Sequence, residues 1–381
     1  MRKHLSELLA AAGIALTMAA GAHAQPIKIA TIVELSGAGA TSGTNFKNGV
    51  ELAVKEINAA GGILGRKIET TVADTQSNPG VAKGLATKAV DDDVFAVFGP
   101  VFSGSILVSM AETRRAGIPN FTGGEAAAIT KQGNPYIFRT SFTQDSAMPK
   151  VARYIANNLK ARTVALIYVN NDFGKGGRES LTKALEPLGV KVTADISTDQ
   201  NQLDFSAPVL KARQSNADVV FVYSNEEESA RALRELRKQG VTKPIVGETV
   251  LTSQKVIELA GDAANGAIAH VGLTADAPLP AVRAFRERFE KEYKYIPDHN
   301  GVKGYTGVFI LKAALEKVGR VDRKLVAQAL HGLSITAAQQ PGVLMDVTID
   351  ANGDLDRESF MTEARNGKQV VKEILPALGA R

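Results

Sequence analysis

The sequence predicts an α/β protein of two doubly wound, Rossmann-like lobes, and three observations carry that prediction. Short apolar, β-branched runs alternate with amphipathic helical stretches over short connections, the order that builds a parallel sheet covered on both faces. The alternation begins again after Arg139. A length of 381 residues suits two or three folding units rather than one, and 44% hydrophobic with 22% charged residues is a globular composition that excludes disorder over most of the chain.

Ile27–Val33 is the first strand, followed by a turn at Ser36, Gly37 and Gly39. Val50, Ala53, Val54 and Ile57 then fall at i, i+3, i+4 and i+7, which gives the next helix one buried face, and Gly61-Gly62 ends it. Ile68–Ala73 is a strand, Val81–Val90 a helix, Val94–Phe98 a strand and Ser105–Arg115 a helix, and Ile118–Phe121 starts another strand. In the second block a helix over Met148–Leu159 precedes the strand Thr163–Val169, and the helix Gly174–Leu185 precedes the strand Val190–Ile196. Phe205–Gln214, Val219–Tyr223, Glu226–Lys238 and Ile245–Val246 continue the pattern. Pro278–Leu333 reads as three helices in succession, more helix than the second sheet can use, so it is expected to return to the first lobe. Val343–Ile349 and Ser359–Glu363 flank Asp350-Ala351-Asn352-Gly353-Asp354 and are expected to pair as a hairpin. Gly353 is misplaced for an EF-hand calcium loop.

The start of the chain carries an export pattern. Arg2, Lys3 and His4, an almost wholly small or apolar run from Leu8 to Gly21, and Ala22-His23-Ala24 before Gln25 read as a secretory signal cleaved after Ala24. That run is short for a span of about 20 residues, and no cysteine follows it to take a lipid. No later stretch reaches 18 apolar residues, so the expected protein does not span the membrane and sits outside the cytoplasm, most simply in a bacterial periplasm. The lack of cysteine excludes disulfides, thiolate metal sites and cysteine nucleophiles. A net charge of +5 is small for this length and no block of five basic residues occurs, so no nucleic-acid partner is expected.

Enzyme motifs are missing. Gly37, Gly39 and Gly43 are spaced G-x-G-x-x-x-G, one residue longer than the dinucleotide fingerprint. No phosphate-binding G-x-x-x-x-G-K-[S/T], H-E-x-x-H or G-x-S-x-G occurs. His270, His299 and His331 have no ligand spacing and read as packed or solvated side chains. Neither a metal, a cofactor nor a catalytic residue is expected, and the protein is not expected to be an enzyme.

Binding signals lie where strands give way to helices. At Gly99-Pro100-Val101-Phe102-Ser103-Gly104-Ser105 the helix start turns backbone N–H groups toward whatever lies beyond the strand ends, and these favour an anion such as a carboxylate. Ser103 or Ser105 reads equally well as a plain N-cap, although ligands of open α/β sheets do bind beyond the carboxyl ends of strands. Asn170-Asn171-Asp172-Phe173-Gly174 is the equivalent edge of the second block, where Phe173 either tucks into the core or stacks on a ligand. Ser224 with Glu227 fits a capping box for the next helix, which leaves Asn225 or Glu226 to face a cleft.

Three phrases carry a family resemblance. Glu56-Ile57-Asn58-Ala59-Ala60-Gly61-Gly62-Ile63-Leu64-Gly65-Arg66-Lys67, Gly99-Pro100 with Ser103, and Ala260-Gly261-Asp262-Ala263-Ala264-Asn265-Gly266 together resemble the solute-binding proteins of branched-chain amino acid type ABC importers, over nearly the whole mature chain. The resemblance implies a type I periplasmic binding protein fold, with crossings between lobes near Ser141, Leu273 and Met361. Residues 25–141 with 273–360 would form the N-terminal lobe, and 142–272 with 361–381 the C-terminal lobe. It also implies closure on a small ligand and docking on ABC permease subunits in the inner membrane, and a monomer is expected.

By position, Ser103, followed by Gly104, stands where the family holds a ligand carboxylate. Gly124 and Ala126 stand where a second loop offers a backbone carbonyl and a hydroxyl, Phe173 where a tyrosine is common, and Thr249, after Glu248, where an acid receives the amino group. Ala126 has no hydroxyl and Thr249 no charge. An unpaired buried ammonium costs several kcal/mol, so two ligand classes stay open. One is an aliphatic amino acid whose ammonium is taken by Glu248, Glu226 or Glu125. The other is a carboxylate without an amine, such as an aromatic or keto acid stacked on Phe173. A sensor feeding a signalling partner is the main rival to import, and a secreted hydrolase is the remote one.

Overall fold

The computed structural model describes residues 25–377. The signal segment read from residues 1–24 lies outside the described residues.

Two sheets of matching topology form the frame. In the first, β1 (Ile27–Val33), β2 (Ile68–Asp74), β3 (Ala96–Phe98), β4 (Asn120–Thr122) and β5 (Ile137–Arg139) are all parallel, in the order β2-β1-β3-β4-β5. The intervening helices are α1 (Ala40–Ala59), α2 (Pro79–Asp91) and α3 (Ser103–Ala116). Central strands buried on both faces read as continuous apolar runs, which is why Ile29–Val33 is buried throughout. Phe98, Phe121 and Phe138 stack across three neighbouring strands, with ring centroids 5.0 and 5.7 Å apart.

After Arg139 the chain crosses through α4 (Gln144–Arg153) and builds the second sheet. Its parallel part comprises β6 (Thr163–Val169), β7 (Lys191–Thr198), β8 (Val219–Tyr223), β9 (Ile245–Glu248) and β10 (Ile268–Val271), in the order β10-β9-β8-β6-β7. Around it lie α5 (Asp172–Leu185), α6 (Ser206–Gln214), α7 (Glu226–Lys238) and α8 (Gln254–Ala260).

The chain then crosses back. Of α9 (Pro280–Tyr293), α10 (His299–Val318) and α11 (Arg323–Leu330), the central one lies on α1. Glycines make that crossing close: a Cβ on Gly49 would sit 2.0 Å from the Gly301 carbonyl oxygen, and one on Gly304 2.1 Å from that of Phe46. The three helices thus bury their apolar faces with β1 and α1 in one core.

The expected hairpin is corrected. Among β11 (Ser334–Ile335), β12 (Val347–Ile349) and β13 (Leu355–Asp356), β12 pairs with both others in a small antiparallel sheet. Ser359–Glu363 instead belongs to β14 (Ser359–Arg365), which joins β10 and β15 (Lys368–Leu375) at the edge of the second sheet. The turn expected at Asp350–Asp354 is present, but the two-residue β13 answers β12, and the chain makes its third crossing before β14. Five strands went unread: β5, β10, β11, β13 and β15. The Met148–Leu159 helix begins four residues earlier than read and ends in a π turn over Tyr154–Asn158.

Candidate functional site

In each sheet the strand order reverses, between β1 and β3 in the first and between β6 and β8 in the second. Such reversals open a crevice at the carboxyl ends of the strands. The two crevices face one another and share a cavity of about 760 Å³, its open mouth included.

From the first lobe, the wall includes Val101–Ser105 after β3, Gly123–Glu125 after β4, and Ser42 on α1. The helix α3 starts at Ser103, two residues earlier than read, and Phe102 occupies its N-cap position without a side-chain cap. Neither Ser103 nor Ser105 is therefore a plain N-cap. The first in-helix bond runs from the Ile106 N–H to the Phe102 carbonyl, so the N–H groups of Ser103, Gly104 and Ser105 are the donors that a helix leaves open at its first turn. Just before them, the buried Glu34 carboxylate accepts the N–H groups of Val101 (3.0 Å) and Phe102 (3.2 Å). Gly43 lets α1 lie against this segment, since a Cβ there would meet the Glu34 carbonyl oxygen at 1.9 Å. Gly39 serves the same packing, since a Cβ there would meet Glu34 Cβ at 2.7 Å.

The second loop departs from what the family resemblance implies. The carbonyl of Gly124 already accepts the Arg139 guanidinium and the Ser141 hydroxyl (2.8 Å), and that of Ala126 accepts Arg139 Nη2 at 3.0 Å. Arg139, anchored on Asp354 at 2.6 Å, is 1% exposed and binds both groups, and the Ile129 N–H fills the second place on Ala126 at 3.1 Å. Ala126 is buried off the cavity wall, and its N–H donates to Ser103 Oγ at 3.2 Å. The Ser103 hydroxyl proton remains free to be given away.

The second lobe contributes Asn171–Phe173 after β6, Gln200 after β7, Asn225 and Glu226 after β8, and Val250 after β9. Phe173 packs its ring on Tyr223 (centroids 4.1 Å apart) and also lines the cavity. Gln144 holds that arrangement, donating to the Phe173 carbonyl at 2.8 Å and to the Tyr223 hydroxyl at 3.0 Å. The capping box is absent. Asn225 is the N-cap residue of α7, Glu227 pairs instead with Arg231 one turn on, and the Ser224 hydroxyl has no partner. Asn225 and Glu226 do reach the cleft, and Asn225 Nδ2 is unpartnered.

Thr249 and Glu248 lie behind the wall, which Val250 occupies in their place. Thr249 gives its hydroxyl to Glu248, and Glu248 also meets His270 Nδ1 at 3.2 Å. Burial pushes the Glu248 carboxyl up and the His270 imidazole down to about 3. Ser42, Gln200 and Val250 were missed from sequence, and so was the start of α10, where His299, Asn300 and Lys303 also line the cavity. Lys303 Nζ meets Glu125 Oε1 at 2.8 Å, and the Tyr223 hydroxyl is 3.4 Å from Glu125 Oε2. Burial pushes Glu125 up to about 7, with Glu248 adding to the push and Lys303 opposing it. The signal that could have found α10 was the Asp298 N-cap, whose carboxylate accepts the N–H groups of Asn300 and Gly301.

The lobes touch across the cleft. Ser42 Oγ on the first donates to Glu226 Oε1 on the second at 2.6 Å, and a Cβ on Gly104 would stand 3.0 Å from Asp172 Oδ2. Among the described residues no group of three or more metal-ligating side chains is placed to hold a metal ion, and no helix is long and apolar enough to cross a membrane.

Two α/β lobes of one topology, joined by three chain crossings around a shared cleft, define the type I periplasmic binding class. The chain belongs to the periplasmic binding protein family, whose profile matches residues 26–369. It is 30% identical to the Leu/Ile/Val-binding protein BraC3 of Rhizobium johnstonii over 93% of this chain and 96% of that one. Its structure is similar to that of the branched-chain amino acid transporter substrate binding protein LivJ from Streptococcus pneumoniae in complex with isoleucine (TM-score 0.83, 26% identity, 93% and 99% of the two chains). A solute binding protein of an ABC transporter from R. palustris, in complex with benzoate, shares the fold (TM-score 0.84, 22% identity, 93% and 98%).

Proposed function

We propose that the protein captures a small carboxylate-bearing nutrient between its lobes in the periplasm and delivers it to the permease subunits of an ABC importer. The observation that carries this reading is the start of α3, where Ser103 and the open N–H groups of Ser103, Gly104 and Ser105 meet a cavity walled by both lobes. A helix start of this kind stabilises an anion. Phe173, Val101, Phe102 and Val250 supply the apolar part of the wall. A ligand touching both lobes binds the closed form better than the open one, and that difference drives closure. No bond is made or broken. The relatives named for leucine, isoleucine and valine and the neighbour holding benzoate mark the two ligand classes, amino acids and amine-free acids.

The test is a thermal-shift screen of amino acids, keto acids and aromatic acids on protein unfolded and refolded to strip bound ligand. A true ligand at a hundred times its dissociation constant adds about 2.7 kcal/mol of stability. If no small carboxylate stabilises the protein, the reading is wrong.

A further inference from the structure

We infer that Glu226 is the specificity-determining acid of the cleft, receiving the ammonium of the ligand, so that an α-amino acid is selected over an amine-free acid; this deepens the capture reading above and rests on it. Three other acids at or just behind the cavity wall are poorly suited. Glu248 lies behind the wall against Thr249 and His270. Glu125 lines the cavity but is already matched by Lys303 at 2.8 Å. Asp172 is exposed at the mouth, where water competes for any cation.

Glu226 differs from all three. It lines the cavity, is 3% exposed, and has no cationic side chain within ion-pair distance among the described residues. Its partners are neutral donors, the Ser42 hydroxyl at 2.6 Å and its own backbone N–H. Lys303 attracts it from a distance but is paired with Glu125 at 2.8 Å, and a buried carboxylate without a counter-charge of its own costs several kcal/mol. Asp298, from the other lobe, makes the demand stronger: it too is buried, it is bound only by N–H donors, and Glu226 helps to push its carboxyl up, to about 7. Closing an empty cleft brings these two acids together, and a cation on the ligand relieves the repulsion. An amine-free acid adds a further negative charge instead. The acid that Thr249 lacks is thus supplied from the first turn of α7, across the cleft from its Ser42 donor.

The experiment is calorimetric titration, at pH 7, of stripped wild-type protein with the twenty standard L-amino acids and with the 2-keto analogue of whichever binds most tightly. Glu226→Gln should weaken the amino acid by roughly 10- to 100-fold while the keto acid binds as well as before or better. Glu226→Asp, which keeps the charge, should retain the preference for the amine and shows that the site still folds. If Glu226→Gln leaves the amino acid within twofold, or weakens both ligands alike, the assignment is wrong. Wild-type binding of an aromatic or keto acid and of no amino acid would overturn the assignment and leave the capture reading standing, whereas no binding by any of them would remove both.

Discussion

Replacing Ser103 by alanine separates what its hydroxyl does for the fold from what it does for the ligand. The side chain is 2% exposed and accepts the buried Ala126 N–H at 3.2 Å. Losing that acceptor strands a buried donor and should lower the stability of the empty protein by about 1 to 3 kcal/mol in urea denaturation. The hydroxyl proton is the part offered to a carboxylate. A hydrogen bond to a charged group contributes about 1.5 to 3 kcal/mol, and each 1.4 kcal/mol is about a factor of ten, so Kd should rise roughly 10- to 150-fold by calorimetry. Ser109, buried on the same helix with its hydroxyl 3.4 Å from the Ile106 carbonyl and away from the cavity wall, is the control; its alanine variant should leave Kd unchanged. A Ser103→Ala protein that is less stable yet binds as tightly as the wild type would refute the reasoning and leave Ser103 a purely structural residue.

Two other perturbations test closure and charge. Gly104→Leu places a side chain where a Cβ alone stands 3.0 Å from Asp172 Oδ2 across the cleft; ligand affinity should fall at least about tenfold with the empty protein's melting temperature nearly unchanged, and trimming the opposing side chain with Asp172→Ala should recover part of the loss. Glu125 titrates near 7 when folded against an ordinary 4.5, so between these values the folded state keeps a proton that the unfolded state has released. Its contribution to stability is therefore full at low pH and falls as pH rises, by up to about 3 kcal/mol. Denaturation of empty wild-type and Glu125→Gln protein from pH 5 to 8 should show the difference between them shifting against the wild type as pH rises, and a pH-independent difference would contradict the shift.

Much of the frame was legible because it is local. Strand runs such as Ile27–Val33 and Thr163–Val169, and the helix starts that follow β3, β6 and β8, announce themselves through apolar runs, glycines and turn residues. From the doubly wound pattern it follows that those starts share one side of each sheet, which is why Ser103, Gly104, Phe173, Asn225 and Glu226 were found near the cavity they line. What stayed hidden depends on contacts distant in sequence. Lys303 and His299 reach the cleft only because α10 returns to lie on α1 through Gly49 and Gly304. That Arg139 would occupy the Gly124 and Ala126 carbonyls follows from its anchoring by Asp354, more than two hundred residues away. The β12–β13 pairing was missed because a two-residue strand leaves no periodicity to read, and the longer Ser359–Arg365 run drew the pairing to itself.

The claim beneath all of this is that the guest draws the lobes together. Since the chain has no cysteine, cysteines introduced at the exposed Lys83 on α2 and Lys175 on α5 can carry one spin label on each side of the mouth. Pulsed dipolar spectroscopy on stripped protein should give a longer, broader distance distribution that shortens and narrows when a stabilising ligand is added. An identical distribution with and without bound ligand would contradict the account.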